Sequence, residues 1–547
     1  FFKQKTAYEI VDCDWSSDVC SSDLAEIELP KFDREAMKAA TRECPQWVHF
    51  GAGNIFRAFP AACQQKLLND GVEKTGIIVA EGYDYEIIKK AYRPQDDLSL
   101  LVTLKANGTI EKTVIGSLAQ SLTVDRQDAE DWNCLKDIFA SKTLQMVSFT
   151  ITEKGYSITS ADGSFRPDVK ADFEAGPEQA DSYIGKLSAL CYWRYTHGAA
   201  PLALVSMDNC SHNGDKLYAA VDAYAKAWTE NGKADSGFLE YIENPAHVSF
   251  PWSMIDKITP RPDDSVKKML EEAGFTDTES IVTSKNTYVA PFVNAEEAEY
   301  LVIEDAFPNG RPRLEHAGVM FTTRDTVEKV ERMKVCTCLN PLHTTLAVYG
   351  CLLGYTKISE EMKDADLVKL VEIIGYKEGL PVVTDPGILS PKKFIDEVLQ
   401  IRVPNPFMPD TPQRIACDTS QKLSIRFGET IKEYMARPEL DVKSLKFIPM
   451  VQAGWCRYLL GVDDEGNTFA VSPDPMYEGL AEKLQGVKVG EPCNVHEVLQ
   501  PVLSDAKIFG VDLYEAGLGE YVESIFSELI AGKGAVRAAL QKHLAEA

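Results

Sequence analysis

No stretch of this 547-residue chain approaches the ~18 to 20 uninterrupted apolar residues needed to span a bilayer, so a helical membrane protein is excluded. Positive charge is scarce as well. Lysine and arginine number 57 against 83 acids, a formal charge of −26. That balance argues against an extended nucleic-acid or anionic-membrane surface, but leaves room for a local basic pocket for a phosphate or carboxylate. Cys-x-x-Cys pairs are missing, and Cys336-Thr-Cys338 has no companion His/Cys cluster at zinc-finger spacing, so no metal site is expected. The cysteines lie scattered in apolar or helical surroundings, among them Cys44, Cys63, Cys134, Cys191, Cys351 and Cys417, as buried thiols of a reduced cytoplasmic protein would. Repeats and low-complexity segments are also lacking.

The length suggests two or three domains, each able to bury a sizeable core without staples. Residues 1–24 are set aside. The run Asp14-Trp-Ser-Ser-Asp-Val-Cys-Ser-Ser-Asp-Leu24 reads like the in-frame translation of a sequencing-library adapter, and it has neither the apolar core nor the charge pattern of a signal peptide.

From there, buried-strand candidates alternate with helical stretches. Cys44–Phe50 runs into a glycine turn, and Asn54–Asn69 follows helical spacing. Thr75–Ala80 reads as a second strand, and Leu98–Lys105 with Thr113–Leu118 as a hairpin around Asn107-Gly108. Gln145–Thr152 and Pro201–Met207 are further strands, with a helix over Asp181–Tyr195 between them. This alternation implies a mainly parallel sheet with crossover helices. Beyond about residue 320 helical patterns dominate, notably Val327–Lys334, Leu342–Leu353, Glu360–Glu378, Pro391–Arg402 and Gln421–Ala436. The expected organisation is an α/β, Rossmann-type dinucleotide-binding domain over 25–315 and a mostly α-helical domain over 316–547.

Gly51-Ala-Gly53-Asn-Ile-Phe-Arg57 sits between a predicted strand and a predicted helix, where a dinucleotide fingerprint belongs. Gly51 and Gly53 permit a tight turn and close backbone approach to a pyrophosphate, with Asn54 opening the helix. Phe56 replaces the usual third glycine. Arg57 is a candidate phosphate contact. Glu81, ending the second strand, is suited to accept from ribose hydroxyls, and an acid there favours NAD over NADP. Asp84 is a second candidate for that role.

Four further segments are specific in combination. They are Thr150-Ile-Thr-Glu-Lys-Gly-Tyr156, Asp208-Asn-Cys-Ser-His-Asn-Gly214, Phe250-Pro-Trp-Ser-Met-Ile-Asp-Lys-Ile-Thr-Pro260, and Lys334 through Asn340-Pro-Leu-His343. In order and spacing they resemble the mannitol dehydrogenase and fructuronate reductase family from about residue 45 to the C-terminus. The resemblance implies NAD- or NADP-dependent interconversion of a keto-hexose or keto-hexuronate with its polyol or aldonate, without metal. It assigns Lys334 as the general acid/base, Asn209 and Asn340 as amides holding the substrate oxygen, and His343 as an orienting residue. Glu331 matches a position associated with proton passage to solvent. Arg414 matches a substrate-contacting position of polyol-specific members, while Lys422 lies in a stretch closer to the uronate-specific ones. His212, Asn213 and Asp256 are expected to be structural supports.

Alternatives within the class are fructose/mannitol, fructuronate/mannonate and tagaturonate/altronate chemistry. A cationic pocket floor from Arg414 plus Lys422 or a neighbour would favour a uronate. A non-catalytic dinucleotide-binding sensor is a different class, against which the retained lysine and asparagines argue. The implied partner is a small sugar or sugar acid, with no nucleic acid and no membrane, and the chain is expected to be a monomer or small homo-oligomer. One departure from the family stands out: Lys334 and Asn340 are one position further apart than in the pattern. An extra residue in a regular helix would swing Lys334 by ~100°. The sequence therefore predicts that Val335–Pro341 is not regular α-helix but a π-bulge or break, with a new helix starting at Pro341.

Overall fold

The computed structural model describes residues 27–262, 264–276 and 278–547, so the leader expected over 1–24 lies outside the described residues. The chain divides into two compact units. The first runs to Lys105 and from Thr109 to Glu328, and the second comprises Ala106–Gly108 and Lys329–Ala547.

The first unit is built on six strands: β1 (Trp47–Phe50), β2 (Ile77–Glu81), β3 (Leu118–Thr123), β4 (Met146–Phe149), β5 (Leu202–Ser206) and β6 (Val248–Ser249). They lie side by side in the order 3-2-1-4-5-6, and every pair is parallel. This is the order of the doubly wound dinucleotide-binding fold, with its switch point between β1 and β4. The strands alternate between two cores, as a period of two requires. Val48, Phe50, Val147, Phe149 and Leu204 pack on one face, and Trp47, Val79, Met146 and Val205 on the other. Both faces are covered, so these strands read as unbroken apolar runs.

The expected helix over Asn54–Asn69 is interrupted. It forms as α1 (Asn54–Ala58) and α2 (Pro60–Asn69), separated by Phe59 at φ −129°. Pro60 causes the break: it lacks an N–H and disfavours helical geometry at the residue before it. On the first core face lie α3 (Tyr183–Thr196), capped by Ser182 accepting from Gly185 N–H, and α4 (Asn213–Glu230). The segment expected as one strand over Thr113–Leu118 belongs to two sheets. Ile110–Ile115 pairs antiparallel with Ser99–Leu104, and Leu118 begins β3 beside β2. Gly116 and Ser117 make the transition.

The second unit is helical. Its elements include α5, the helix Arg324–Met333 whose end enters it, α6 (Asn340–Leu352), α7 (Phe447–Tyr458) and α8 (Gly519–Leu529). All twelve residues of α7 are buried, the signature of a helix that is covered all round. Among the described residues no helix is long and apolar enough to cross a membrane.

His49 on β1 carries a testable consequence. Its ring stacks on Phe56 at 4.2 Å, Nδ1 pairs with Ser148 Oγ at 2.7 Å, and Nε2 pairs with Thr150 Oγ1 at 2.8 Å. Complete burial lowers its pKa to about 3. Because the folded pKa lies below the unfolded value near 6.5, its contribution to stability is complete above about pH 6.5. It is lost toward pH 3 at up to ~1.4 kcal/mol per pH unit. In urea titrations the stability gap between wild type and His49→Gln should narrow steadily between pH 7 and 4.5. A gap independent of pH would contradict this assignment.

Candidate active site

The glycine turn stands at the carboxyl end of β1, at the switch point. Gly51 has φ +107°, and a Cβ placed there would lie 2.3 Å from the Thr150 carbonyl oxygen, so only glycine fits. Its N–H donates to Ala80 O at 2.9 Å. The Ala52 peptide is gripped on both sides: its N–H donates to Glu81 Oε2 at 2.8 Å, and its carbonyl accepts from the Tyr92 hydroxyl at 2.9 Å. At Gly53 a Cβ would meet nothing within 4 Å. The protein leaves that space open, and among the described residues the N–H groups of Gly53 and Asn54 have no acceptor. Open space and free N–H groups fit the pyrophosphate of a dinucleotide.

Glu81 is buried, and its other oxygen accepts from the N–H groups of Tyr83 at 2.7 Å and Asp84 at 3.0 Å. Burial raises its pKa, opposed by these three donors. Asp84 is buried and accepts from Thr283 Oγ1 at 2.6 Å. Arg57 is only 2% exposed. One terminal nitrogen donates to Ala290 O at 2.7 Å and the other to Asn54 Oδ1 at 2.8 Å. Its guanidinium is thus engaged with the protein, where it fixes the Asn54 side chain.

Two of the specific segments are joined at the ends of β4 and β5. Asp208 Oδ1 accepts from Thr152 N–H at 2.9 Å, and Oδ2 accepts from Ile151 N–H at 2.9 Å and the Tyr156 hydroxyl at 2.5 Å. These bonds hold Thr152 at φ +64°, ψ 159°, a region that β-branched residues rarely enter. Asn209, next in the chain, is exposed, and its amide makes no hydrogen bond among the described residues. Asn213 is buried, and its amide nitrogen donates to the carbonyls of Ser206, Asp208 and Ser253. His212, in the left-handed region, stacks on Trp252 at 4.2 Å and pairs with Glu328 at 2.8 Å. Asp256 is buried at the end of a strand paired with Tyr300–Glu304.

In the second unit the helix irregularity predicted around Lys334 is present. Lys334–Cys338 is a π-helical turn whose i+5 bond runs from Leu339 N–H to Lys334 O at 3.1 Å. Leu339 breaks away at φ −126°, and α6 begins at Asn340, one residue earlier than expected, with Pro341 in its first turn. Lys334 is buried. Asn340 and Glu331 are half-buried. His343, in the first turn of α6, places Nε2 3.5 Å from Asp410 Oδ2. Asp410 also pairs with Arg414, whose side chain is 60% exposed. Lys422 donates to the Cys417 carbonyl, and its pKa is lowered by burial and then by the Arg426 charge. Asp410 and Arg426 carried no sequence signal of their own. Their positions, four before Arg414 and four after Lys422, are the one hint that i,i+4 reasoning offers.

The Mannitol dehydrogenase Rossmann domain matches residues 45–316, and the Mannitol dehydrogenase C-terminal domain matches residues 326–529. The chain belongs to the mannitol dehydrogenase family. It is 52% identical over 518 residues to the D-mannonate oxidoreductase of Thermotoga maritima, covering 94% of this chain and 95% of that one. Among solved structures it is similar to a D-sorbitol dehydrogenase in substrate-free form, with TM-score 0.78 and 27% identity over 94% of this chain and 98% of that one. It is also similar to the Pseudomonas fluorescens mannitol 2-dehydrogenase in ternary complex with NAD and D-mannitol. That TM-score is 0.65, at 26% identity over 95% of this chain and 97% of that one.

The two glycines should respond differently to the same substitution. Gly51→Ala meets both a forbidden φ and a carbonyl, a cost of about 2–4 kcal/mol. Gly53→Ala meets no protein atom and should cost less than about 1 kcal/mol. Urea denaturation of the unliganded variants checks this, and equal losses would show that the turn is not built as described.

Proposed function

We propose that this enzyme interconverts a keto-hexuronate and its aldonate with a nicotinamide dinucleotide, as its 52% identity to a D-mannonate oxidoreductase supports. That likeness, extending over 94% of the chain, carries the reading. Buried thiols such as Cys63, Cys191 and Cys351 suit the reducing cytoplasm in which we place it.

A bound nicotinamide supplies the acceptor or donor of the hydride. The chain supplies the proton chemistry and the positioning. Lys334 takes the hydroxyl proton as the alcohol becomes a ketone and returns it in the reverse direction. A lysine suits the task because it carries the proton as a compact, movable charge. The Asn340 amide, with no competing hydrogen bond among the described residues, is assigned to the substrate oxygen, and the exposed Asn209 amide of the first unit receives the same role. His343, paired with Asp410, is assigned to orienting the substrate, and Glu331, one turn before Lys334, to passing its proton to solvent. Arg414 is a substrate contact. At the nucleotide end, Gly51, Gly53 and Asn54 form the pyrophosphate cradle. Arg57 acts on that cradle through Asn54. Glu81 faces the adenosine ribose with whatever acceptor capacity its three N–H donors leave.

A panel of keto-hexuronates, fructose and tagaturonate with NADH and NADPH tests the reading, and exclusive turnover of the neutral ketose would reject it. Lys334→Ala should lower kcat by roughly 10²- to 10⁴-fold while nucleotide binding persists. Turnover near the wild-type rate in that variant would remove Lys334 from its role.

The cofactor preference is a separate expectation. A carboxylate at position 81 repels a 2′-phosphate, so kcat/KM should favour NADH over NADPH. Equal efficiency would place the adenosine selectivity elsewhere.

A further inference from the structure

Arg426 lies in another π-helical turn, Ser424–Gly428, one of five among the described residues. Its side chain is half-buried, and partial loss of water brings its pKa down to about 10 with no acid opposing the shift. Its one hydrogen bond among the described residues runs from Nη1 to Thr344 Oγ1 at 2.5 Å. Two fully buried arginines in this chain are satisfied differently. Arg194 donates to the carbonyls of Phe139, Ser141, Leu144, Ala200 and Pro201, and Arg457 to those of Leu529, Val462 and Asp463. Arg426 has five N–H groups and a single neutral acceptor. None of its nitrogens is sealed without a partner, so the spare donors open onto accessible space.

Lys422 stands four residues earlier and feels the Arg426 charge, with Asp418 and Asp474 as weaker opposing influences. Two partly desolvated cations thus lie within electrostatic reach of each other, and the guanidinium has no acid opposing its shift. Burying a guanidinium in this state costs stability unless an anion completes it. Thr344, which holds Arg426, is the residue after His343 on α6, so the unfilled donors are tied to the helical turn that carries the candidate substrate residues.

We propose that Arg426, with Lys422 beside it, binds the substrate carboxylate and thereby sets the preference for a sugar acid over a neutral sugar. The proposal rests on the keto-hexuronate reading above. Guanidinium suits the task because its planar fork meets a carboxylate with two parallel N–H donors, which an ammonium cannot do. A neutral ketose has nothing to offer in their place, and leaving those donors unmet penalises it.

The experiment measures wild type, Arg426→Gln and Arg426→Lys with a keto-hexuronate and with fructose, alongside calorimetric binding of D-mannonate and D-mannitol in the presence of NAD. In Arg426→Gln, the ratio of kcat/KM for the uronate to that for fructose should fall by roughly 10²-fold, chiefly through KM. D-mannonate affinity should fall with it. Arg426→Lys should recover part of the loss, and it remains informative if the glutamine variant folds poorly. A wild type that rejects keto-hexuronates defeats the functional reading, and the proposal with it. A wild type that turns them over, with an unchanged ratio in both variants, overturns the Arg426 proposal alone.

Discussion

The Ala52 peptide is hydrogen-bonded through both its N–H and its carbonyl, and the nucleotide end of the molecule depends on that grip. Glu81 at the end of β2 takes the N–H, and Tyr92 takes the carbonyl. Gly51 donates to Ala80 on the same neighbouring strand. Three bonds therefore tie the turn after β1 to β2 and to the segment that follows it. The turn needs this fixing because Gly51 sits where the Thr150 carbonyl leaves room for no side chain. Deleting the Glu81 carboxylate would orphan the N–H groups of Ala52, Tyr83 and Asp84, at about 1–3 kcal/mol each where they are buried. The acid that suits the adenosine end is thus also the clamp that shapes the turn, and the desolvation that raises its pKa is offset by those three donors.

The same device recurs across the switch point. Asp208, two residues past the end of β5, accepts two N–H groups and a hydroxyl from the segment leaving β4. Thr152 is held there in a backbone conformation that costs of order 1–3 kcal/mol, offset by charge-assisted bonds to its own N–H and its neighbour's. Asn209 follows directly. Asp208 before it and Asn213 four residues on are buried and engaged, while its own amide is left over. A carboxylate at a strand end thereby stiffens the loop that carries an uncommitted donor.

Much of this was legible in the sequence because it is periodic or punctuated. β1, β2, β4 and β5 read as apolar runs, and their parallel arrangement followed from the helices between them. The Asn54–Asn69 span reads as one helix because its apolar spacing continues across Pro60, where the backbone breaks. The helix Phe447–Tyr458 left no amphipathic stripe because all of its faces are buried. Thr113–Leu118 read as one strand because the change of sheet at Gly116 leaves no mark in local hydropathy. At the candidate site, Glu81 and Arg57, close to the glycine turn in the fold, stand out in the sequence as polar residues. Their engagement with Ala52, Asn54 and Ala290 does not, because each bond is set by tertiary placement. Arg426 gave no signal for the same reason: a half-buried arginine without an acid looks, in sequence, like any helix arginine.

The residue count around Lys334 shows how a local excess can be read as structure. One extra residue in an α-helix would turn everything beyond it by ~100° and spoil the register of a motif. A π turn contains that excess, since its bonds close i to i+5 and one widened turn takes in the added residue. The Leu339 N–H to Lys334 O bond is such a closure, and Leu339 then leaves helical geometry so that α6 starts afresh. Pro341 assists because its missing N–H falls in a first turn that has no intrahelical acceptor to lose. The break costs α6 little while allowing Asn340 and His343 to keep their own spacing on a new helix. At Lys334 the backbone thus gives up regular hydrogen bonding where a charged side chain is buried, as expected if side-chain placement rather than helix stability governed this turn.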